Sequence, residues 1–433
     1  MNMKIIFDIS VLGWSIRDEK AKTGIFRVIE NLLIQFLKDK NLELYLSAIH
    51  GNYSDVSEYI KKANLGVVSN QLIFPKGKSP KRDSIFQRLN AIEYNLDKIN
   101  PSFYDRIQLF VFRFFRFFAD ILFGLNRYKK SIPSEFRTKE FIFHSPFLPV
   151  PSYLACSELH TVVSIYDLIP VLYPEYFMGN NNHLIQKLVK YLNSKTNIIT
   201  ISNHSRNDII KVIPDSARRT HVSYLAANNI FTKKLFDGYM NEVLDKYRLV
   251  PDRYIVSVST FEPRKNLGII IEAFLNLNNS ADDIQLVLIG TEGWGPSFEE
   301  TKRRFGEKFN SKVRFLGFIP DNELAFIYSG ALFFVYMSLY EGFGLPPLEA
   351  MQCGLPVISS NSSSLPEVIG AAGMLIDPMD KASLKEKMEL LISDSDLRKS
   401  LASLSLKQSS KFTWESTVNC VKEIYCQINE ATG

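Results

Sequence analysis

Much of the vocabulary of catalysis is missing from this chain. Its 433 residues hold four cysteines, Cys156, Cys353, Cys420 and Cys426, widely spaced and without a CxxC pair. That argues against a zinc site or a disulfide framework and for a reducing compartment. There is no GxxxxGK[ST] loop and no GxSxG elbow, which removes P-loop nucleotide hydrolysis and serine-hydrolase chemistry. No Asp-x-Asp triplet is placed to hold Mg²⁺ on a nucleotide, and Asp282-Asp283 falls in a loop ahead of a strand; no metal and no other cofactor are expected. No uncharged apolar run approaches the ~20 residues that span a bilayer. The chain starts on a strand-like run, Lys4-Ile5-Ile6-Phe7-Asp8-Ile9, with no charged-then-apolar leader, so a cytoplasmic protein is expected. A net charge of +5 is too mild to indicate nucleic acid.

What is present is an ordinary globular composition, 46% hydrophobic and 22% charged, long enough for two domains. Strand-like and helix-like segments alternate in both halves, which predicts an α/β protein of two doubly wound domains facing a cleft. In the first half Thr23-Gly24 stands ahead of a helix marked by Ile25, Val28, Ile29, Leu32, Leu33, Phe36 and Leu37. Strands there end at His144-Ser145-Pro146, at Tyr166-Asp167-Leu168-Ile169-Pro170 and at Ser202-Asn203-His204-Ser205. Ligands of open parallel sheets bind beyond the carboxyl ends of strands, so position alone puts His144, Tyr166, Asp167, Ser202 and His204 on the functional edge, and the loop at Thr23-Gly24 can approach a phosphate or a sugar closely or be an ordinary helix start. Each also has a plain structural reading: either histidine can be structural, Asp167 can fix its own turn, and a serine here can cap the following helix. Residues 1–235 read as the first domain, the polar stretch 236–252 as a linker, 253–410 as the second domain, and 411–433 as a helix crossing back to the first.

Residues 70–140 stand apart, with fourteen Lys and Arg against seven Asp and Glu. Within them a helix is expected at about 107–126, with Arg106, Arg113, Arg116, Asp120 and Arg127 on one stripe and aromatic or aliphatic residues elsewhere. Two readings stay open. It is a membrane-interface helix with the basic flank Arg127, Lys129 and Lys130 meeting anionic lipid, or it packs into the protein behind a solvated stripe.

The densest signal is Tyr340-Glu341-Gly342-Phe343-Gly344-Leu345-Pro346-Pro347-Leu348-Glu349-Ala350-Met351. An apolar strand, Ala331–Tyr336, precedes it. Gly342 and Gly344 permit a tight turn, and Pro346-Pro347 suit the first turn of a helix. A helix start with glycine amides favours an anion, and two nearby carboxylates suit hydroxyls; a nucleotide sugar carries both. Arg264 and Lys265 also precede a helix. Cations there oppose the helix dipole unless an anionic partner is present, and a diphosphate is such a partner.

Glu341 and Glu349, with seven residues between them in this motif, resemble the signature of glycosyltransferase family 4. The likeness extends through Glu262-Pro263-Arg264-Lys265-Asn266, Val313-Arg314-Phe315-Leu316-Gly317, Gly354-Leu355-Pro356-Val357-Ile358-Ser359 and Leu365-Pro366-Glu367-Val368, and more loosely through the first-half strand ends. The resemblance implies a GT-B fold of two Rossmann-like domains and retaining, metal-independent transfer from a nucleotide-diphosphate sugar. GDP-mannose is the first donor it suggests, with UDP- and dTDP-sugars open; the aromatic basic helix at about 107–126 suggests a lipid-linked or growing polysaccharide acceptor, met on the inner face of the cytoplasmic membrane. By the same resemblance Lys265 and Arg264 hold the diphosphate, and Glu349 binds the ribose. Glu341 meets the sugar with Gly342 and the amides of Phe343, Gly344 and Leu345. Gly317, Phe318 and Ile319 line the base, Thr260 joins the donor site, and Thr23-Gly24 faces the phosphates or acceptor. Tyr166 stands where many members carry histidine and is a poor base near neutral pH, and Ser259-Thr260 replaces a Gly-Arg pair, removing one cation. A sugar-nucleotide epimerase, a phosphorylase and a non-catalytic nucleotide-sugar binder are the alternatives.

Overall fold

The computed structural model describes residues 3–18, 24–99, 101–177, 183–234, 238–278, 283–291, 293 and 297–430, with the backbone alone at 297–299 and 301. It divides into two compact units. The first comprises Met1–Thr200, Arg206–Ser223 and Trp414–Gly433, the second Ile201–Ser205 and Tyr224–Thr413.

The first unit is built on a six-stranded parallel sheet: β1 (Met3–Asp8), β2 (Leu42–Ser47), β3 (Phe141–Ser145), β4 (His160–Ser164), β5 (Asn197–Thr200) and β6 (Thr220–Val222), in the order β2-β1-β3-β4-β5-β6. Such strands are covered on both faces and therefore read as apolar runs rather than as alternation; Ile5, Ile6 and Phe7 of β1 and Ile142 and Phe143 of β3 are fully buried. Helix α1 (Gly24–Lys38) follows β1 and buries Phe26, Val28, Ile29, Leu32, Leu33 and Phe36, in keeping with its spacing. The C-terminal helix, Trp414–Glu430, belongs to this unit: Tyr425 packs near Phe36, and Lys422 pairs with Asp39.

Helices α2 (Pro80–Leu96) and α3 (Phe103–Leu122) form the insertion. α3 starts earlier than its apolar run suggests because Ser102 and Asp105 make a capping box: Asp105 N donates to Ser102 Oγ (3.2 Å), and Ser102 N to Asp105 Oδ2 (2.9 Å). It turns the middle of its polar stripe inward. Arg116 and Asp120 are buried; Arg116 pairs with Glu93 and donates to Asn90 Oδ1 of α2 (2.6 Å), and Asp120 pairs with Lys129. The aromatic residues face outward. The aromatic face is therefore not packed inward behind a solvated stripe: Arg116 and Asp120 are what pack, because they find partners on α2 and at Lys129, while Arg106 and Arg127 of the same stripe stay exposed.

The second unit holds β7 (Tyr254–Val258), β8 (Gln285–Ile289), β9 (Val313–Phe315), β10 (Phe334–Tyr336), β11 (Val357–Ser360) and β12 (Met374–Ile376), all parallel, in the order β12-β11-β10-β7-β8-β9. The order reverses between β7 and β10, the switch point where doubly wound sheets bind their ligands. Helix α4 (Gly238–Lys246) lies in the stretch expected to be a linker. It buries Met240, Val243 and Leu244 in the core of this unit, and the unit already begins at Tyr224. The charge density that suggested a linker belongs to its outer face.

Candidate functional site

The switch point of the second unit is built from two strand–loop–helix passages. β7 runs into the turn Pro263–Lys265 and then helix α5 (Leu267–Leu275); β10 runs into the glycine loop and helix α6 (Leu345–Gln352). Gly344, the residue before α6, has φ +121°, and a Cβ there would meet Leu365 Cδ2 at 2.8 Å, so the loop requires glycine. Serines hold the loop's backbone: Ser363 Oγ accepts from Glu341 N (2.8 Å), and Ser364 Oγ lies 2.9 Å from Glu341 O and 2.7 Å from Phe343 O. Ser202 Oγ donates to Gly342 O at 2.8 Å and accepts from Ser205 N at 3.0 Å.

The two passages meet in one largely buried ionic cluster. Lys265 Nζ lies 2.6 Å from Glu341 Oε1, and Arg264 NH1 lies 3.0 Å from Glu341 Oε2. Arg264 NH2 also donates to Glu262 Oε1 (2.6 Å), and NH1 to Tyr340 O (2.6 Å). Tyr336 Oη sits between the pair: it accepts from Lys265 Nζ (2.8 Å) and donates to Glu341 Oε1 (2.8 Å). Burial favours the neutral acid at Glu341, but Arg264 and then Lys265 outweigh it and hold the carboxyl down to about 2. Burial also works against the Arg264 guanidinium, yet Glu341 and Glu262 raise its pKa overall. Lys265 is pulled below the ordinary lysine value by its burial, against Glu341 and with Arg264. The Tyr336 phenol is raised by burial and by Glu341, so it keeps its proton. At neutral pH the site presents fixed charges and no proton donor on Glu341.

Glu349 is buried on α6. The Phe343 side chain turns away from the loop toward Tyr224 and Phe412, leaving its amide as the part a ligand can use; Leu345 is half-buried. Thr260 is exposed at the end of β7. Gly317 has φ +68° with open space around it, and Phe318 is 70% exposed. Ile319 does not line this surface: it is buried in the core with Leu324 and Tyr328, where an apolar side chain is more favourably placed than in solvent.

The first-half candidates are dispersed. Thr23 and Asp282 lie outside the described residues, and Gly24 opens α1. His144 is a core residue rather than an edge one: fully buried, with Nδ1 2.5 Å from Tyr425 Oη and Nε2 2.9 Å from Ser164 Oγ, and burial pushes it down to about 3. Tyr166 is buried and its phenol is raised by that burial, which removes it as a base. Asp167 Oδ1 accepts from Ile169 N (3.0 Å) and fixes its own turn. Ser202 is buried in the second unit as a latch on the glycine loop. His204 Nε2 lies 3.0 Å from Tyr340 Oη.

Three groups escaped the sequence. Tyr336 reads as one more aromatic of a buried strand; only its place at the strand's carboxyl end marks it. Glu367 receives Asn203 N (2.8 Å), His204 N (2.7 Å) and Tyr224 Oη (2.9 Å), a cap supplied from far along the chain. Asp394-Ser395-Asp396 is an Asp-x-Asp triplet, but Asp394 caps a helix by accepting from Asp396 N and Leu397 N. In the first unit a cavity of about 570 Å³ opens where β1, β2 and β3 end, lined by Trp14, His50, Leu148, Tyr94, Arg116 and Lys187 among others and mostly apolar. Its walls come from distant segments, so no local pattern announces it.

The family described as "Glycosyl transferases group 1" matches residues 243–407. The O-antigen chain mannosyltransferase B of Escherichia coli is 33% identical over 292 residues, 66% of this chain and 74% of that protein. The serotype-specific mannosyltransferase WbdA of Escherichia coli is 33% identical over 267 residues, 60% of this chain, which spans about a third (32%) of WbdA. Among solved structures, that of Anabaena HepE in complex with UDP and glucose superposes with a TM-score of 0.64 at 16% identity, covering 97% of this chain and 98% of that one. The fold is GT-B.

Proposed function

The chain belongs to the group 1 glycosyl transferases, of the family-4-like type, and on that premise we propose that it moves a mannosyl residue from GDP-mannose to a lipid-linked or growing polysaccharide acceptor, with retention at the anomeric carbon and without a metal. Its mannosyltransferase relatives support the sugar, and the UDP-bound neighbour supports a nucleotide-linked donor. The observation that carries the reading is the largely buried cluster of Arg264, Lys265, Tyr336 and Glu341 at the switch point of the second unit, beside the start of α6.

Arg264 and Lys265 take the negative charge that grows on the diphosphate as it leaves, the electrostatic role a metal fills elsewhere. The amides of Phe343, Gly344 and Leu345 add donors at the start of α6. Glu349 holds the ribose, and Gly317 and Phe318 flank the base. Glu341, ionised at working pH, meets the sugar as a fixed negative charge and favours positive charge developing at the anomeric carbon. The acceptor oxygen bonds to that carbon on the face from which the carbon–phosphate oxygen bond breaks, and the acceptor's proton passes to the departing phosphate oxygen. The cavity of the first unit takes the acceptor.

Incubation with GDP-mannose, UDP-glucose and a dTDP-sugar, with lipid-linked and free glycans as acceptors and a chelator present, tests this. Transfer from GDP-mannose giving an α-linked product by NMR is expected. A β-linked product refutes retention, and transfer from another donor in preference refutes the sugar.

A further inference from the structure

The outer face of α3 is the largest feature the transfer chemistry leaves unused. Phe103 is 80% exposed, Phe110 74%, Phe115 65% and Leu122 78%, and Phe114, Phe117, Phe118 and Ile121 are more than half exposed. Together these side chains expose apolar area on the order of 1,000 Å², where a soluble monomer's largest patch is a few hundred. The orientation is built in. Arg116 and Asp120 are held on the inner side by Glu93, Asn90 and Lys129, so turning the aromatics inward would break buried ion pairs and strand their charges.

Charge decides what covers this face. Between residues 103 and 130 the acids are Asp105 and Asp120, and both are turned in, onto Lys98 and Lys129. Arg106, Arg127 and Lys130 are exposed, and Arg113, paired with Glu93, keeps half its side chain in solvent. The outward surface is therefore aromatic with a cationic margin. A second copy of the chain would bring that margin against its own like charges, since a two-fold interface repeats one patch on both sides; an anionic headgroup layer neutralises it. Among the described residues no helix is long and apolar enough to cross a membrane, so α3 suits lying along a surface rather than spanning it.

We propose that α3 docks the protein flat on an anionic lipid bilayer, its phenylalanines seated at the boundary between headgroups and acyl chains and Arg106, Arg127 and Lys130 on the lipid phosphates. The inner side of the same helix contributes Arg116 to the apolar cavity at the ends of β1, β2 and β3, so docking would bring that cavity to the surface where a lipid-linked acceptor resides. Only this consequence rests on the transferase reading; docking rests on the helix alone, and vesicle binding is measured without donor or acceptor.

The test is co-sedimentation of the full chain with vesicles of phosphatidylcholine and phosphatidylglycerol in equal parts, and of phosphatidylcholine alone. The wild type should pellet with the mixed vesicles and be released by high salt. Phe114→Ser, Phe115→Ser, Phe117→Ser and Phe118→Ser together should weaken binding at least about tenfold, with an unchanged melting temperature showing that the fold survives. Arg106→Gln, Arg127→Gln and Lys130→Gln should each cost about fivefold. Wild-type protein left in the supernatant of mixed vesicles, or undiminished binding of the serine variant, overturns the proposal. So does a dimer in analytical ultracentrifugation that the serine changes dissolve, because the face would then belong to a second copy.

Discussion

The two units wind the same kind of parallel sheet and treat its switch point in opposite ways. In the second, the carboxyl ends of β7 and β10 carry a largely buried cluster in which Arg264 and Lys265 share Glu341. In the first, the end of β3 carries a neutral, fully satisfied histidine, and the space beyond β1, β2 and β3 is a largely apolar cavity. Fixed charge suits a leaving diphosphate, whereas an apolar hollow with a few polar groups suits a substrate that is held without being ionised. A shared winding therefore does not dictate shared chemistry; the side chains at the strand ends do.

Acid should separate the two units most strongly. His144 has its folded pKa depressed to about 3 from the ordinary histidine value of 6.5. The unfolded chain therefore binds a proton in that window while the folded one does not, and stability present above pH 6.5 is lost as pH falls toward 3. The limit is about 5 kcal/mol. Asp8, lifted by burial to about 7, slopes the other way, so the measurement is denaturant unfolding of wild type against His144→Gln across that range. An unchanged difference between the two would mean that His144 is not the neutral core group its contacts imply.

The charged cluster is tested next. Lys265→Ala should lower turnover roughly a hundred- to thousandfold, about 3–4 kcal/mol of transition-state stabilisation, with a steady-state assay as the check. Activity within a few-fold of wild type would break the contrast with the first unit. A smaller effect is expected of Tyr336→Phe, which leaves Lys265 and Glu341 together but removes the hydroxyl between them. A loss of about 1–2 kcal/mol of stability should appear in thermal unfolding, with turnover reduced and the donor KM little changed. Smallest of all, Ala91→Trp on the exposed rim of the first unit's cavity should raise the acceptor KM about tenfold, the scale of a slight misfit in an apolar pocket. A shift in the donor KM instead would assign that cavity to the donor.

How far the chain could be read in advance divides along the same line. In the second unit the strand, the glycine loop and the helix start are consecutive, so Glu341 and Gly344 were legible as parts of one turn, and Arg264 and Lys265 as parts of another. That the two turns converge on a shared carboxylate was not, since β7 and β10 become neighbours only when the sheet reverses its order. Tyr336 was hidden for the same reason: its hydroxyl matters only once Lys265 is beside it. In the first unit position along a strand misled, because His144 sits at the right end of β3 but beneath Tyr425 of a helix nearly three hundred residues later. The periodicity of α3 showed its stripe correctly and could not say which side faced in. Glu93 and Asn90 of α2 decided that by offering the stripe partners.

By itself the sequence determined the alternation of strands and helices, the two sheets, and the glycine loop with its flanking carboxylates, since each rests on periodicity or on a turn of a few residues. Tertiary structure alone decided which charges meet at the switch point, which histidine is silent, which isoleucine leaves the candidate site for the core, and that the aromatic side of α3 looks outward. Those outcomes depend on groups far apart in the chain competing for the same buried partners, and a one-dimensional pattern holds no record of that competition.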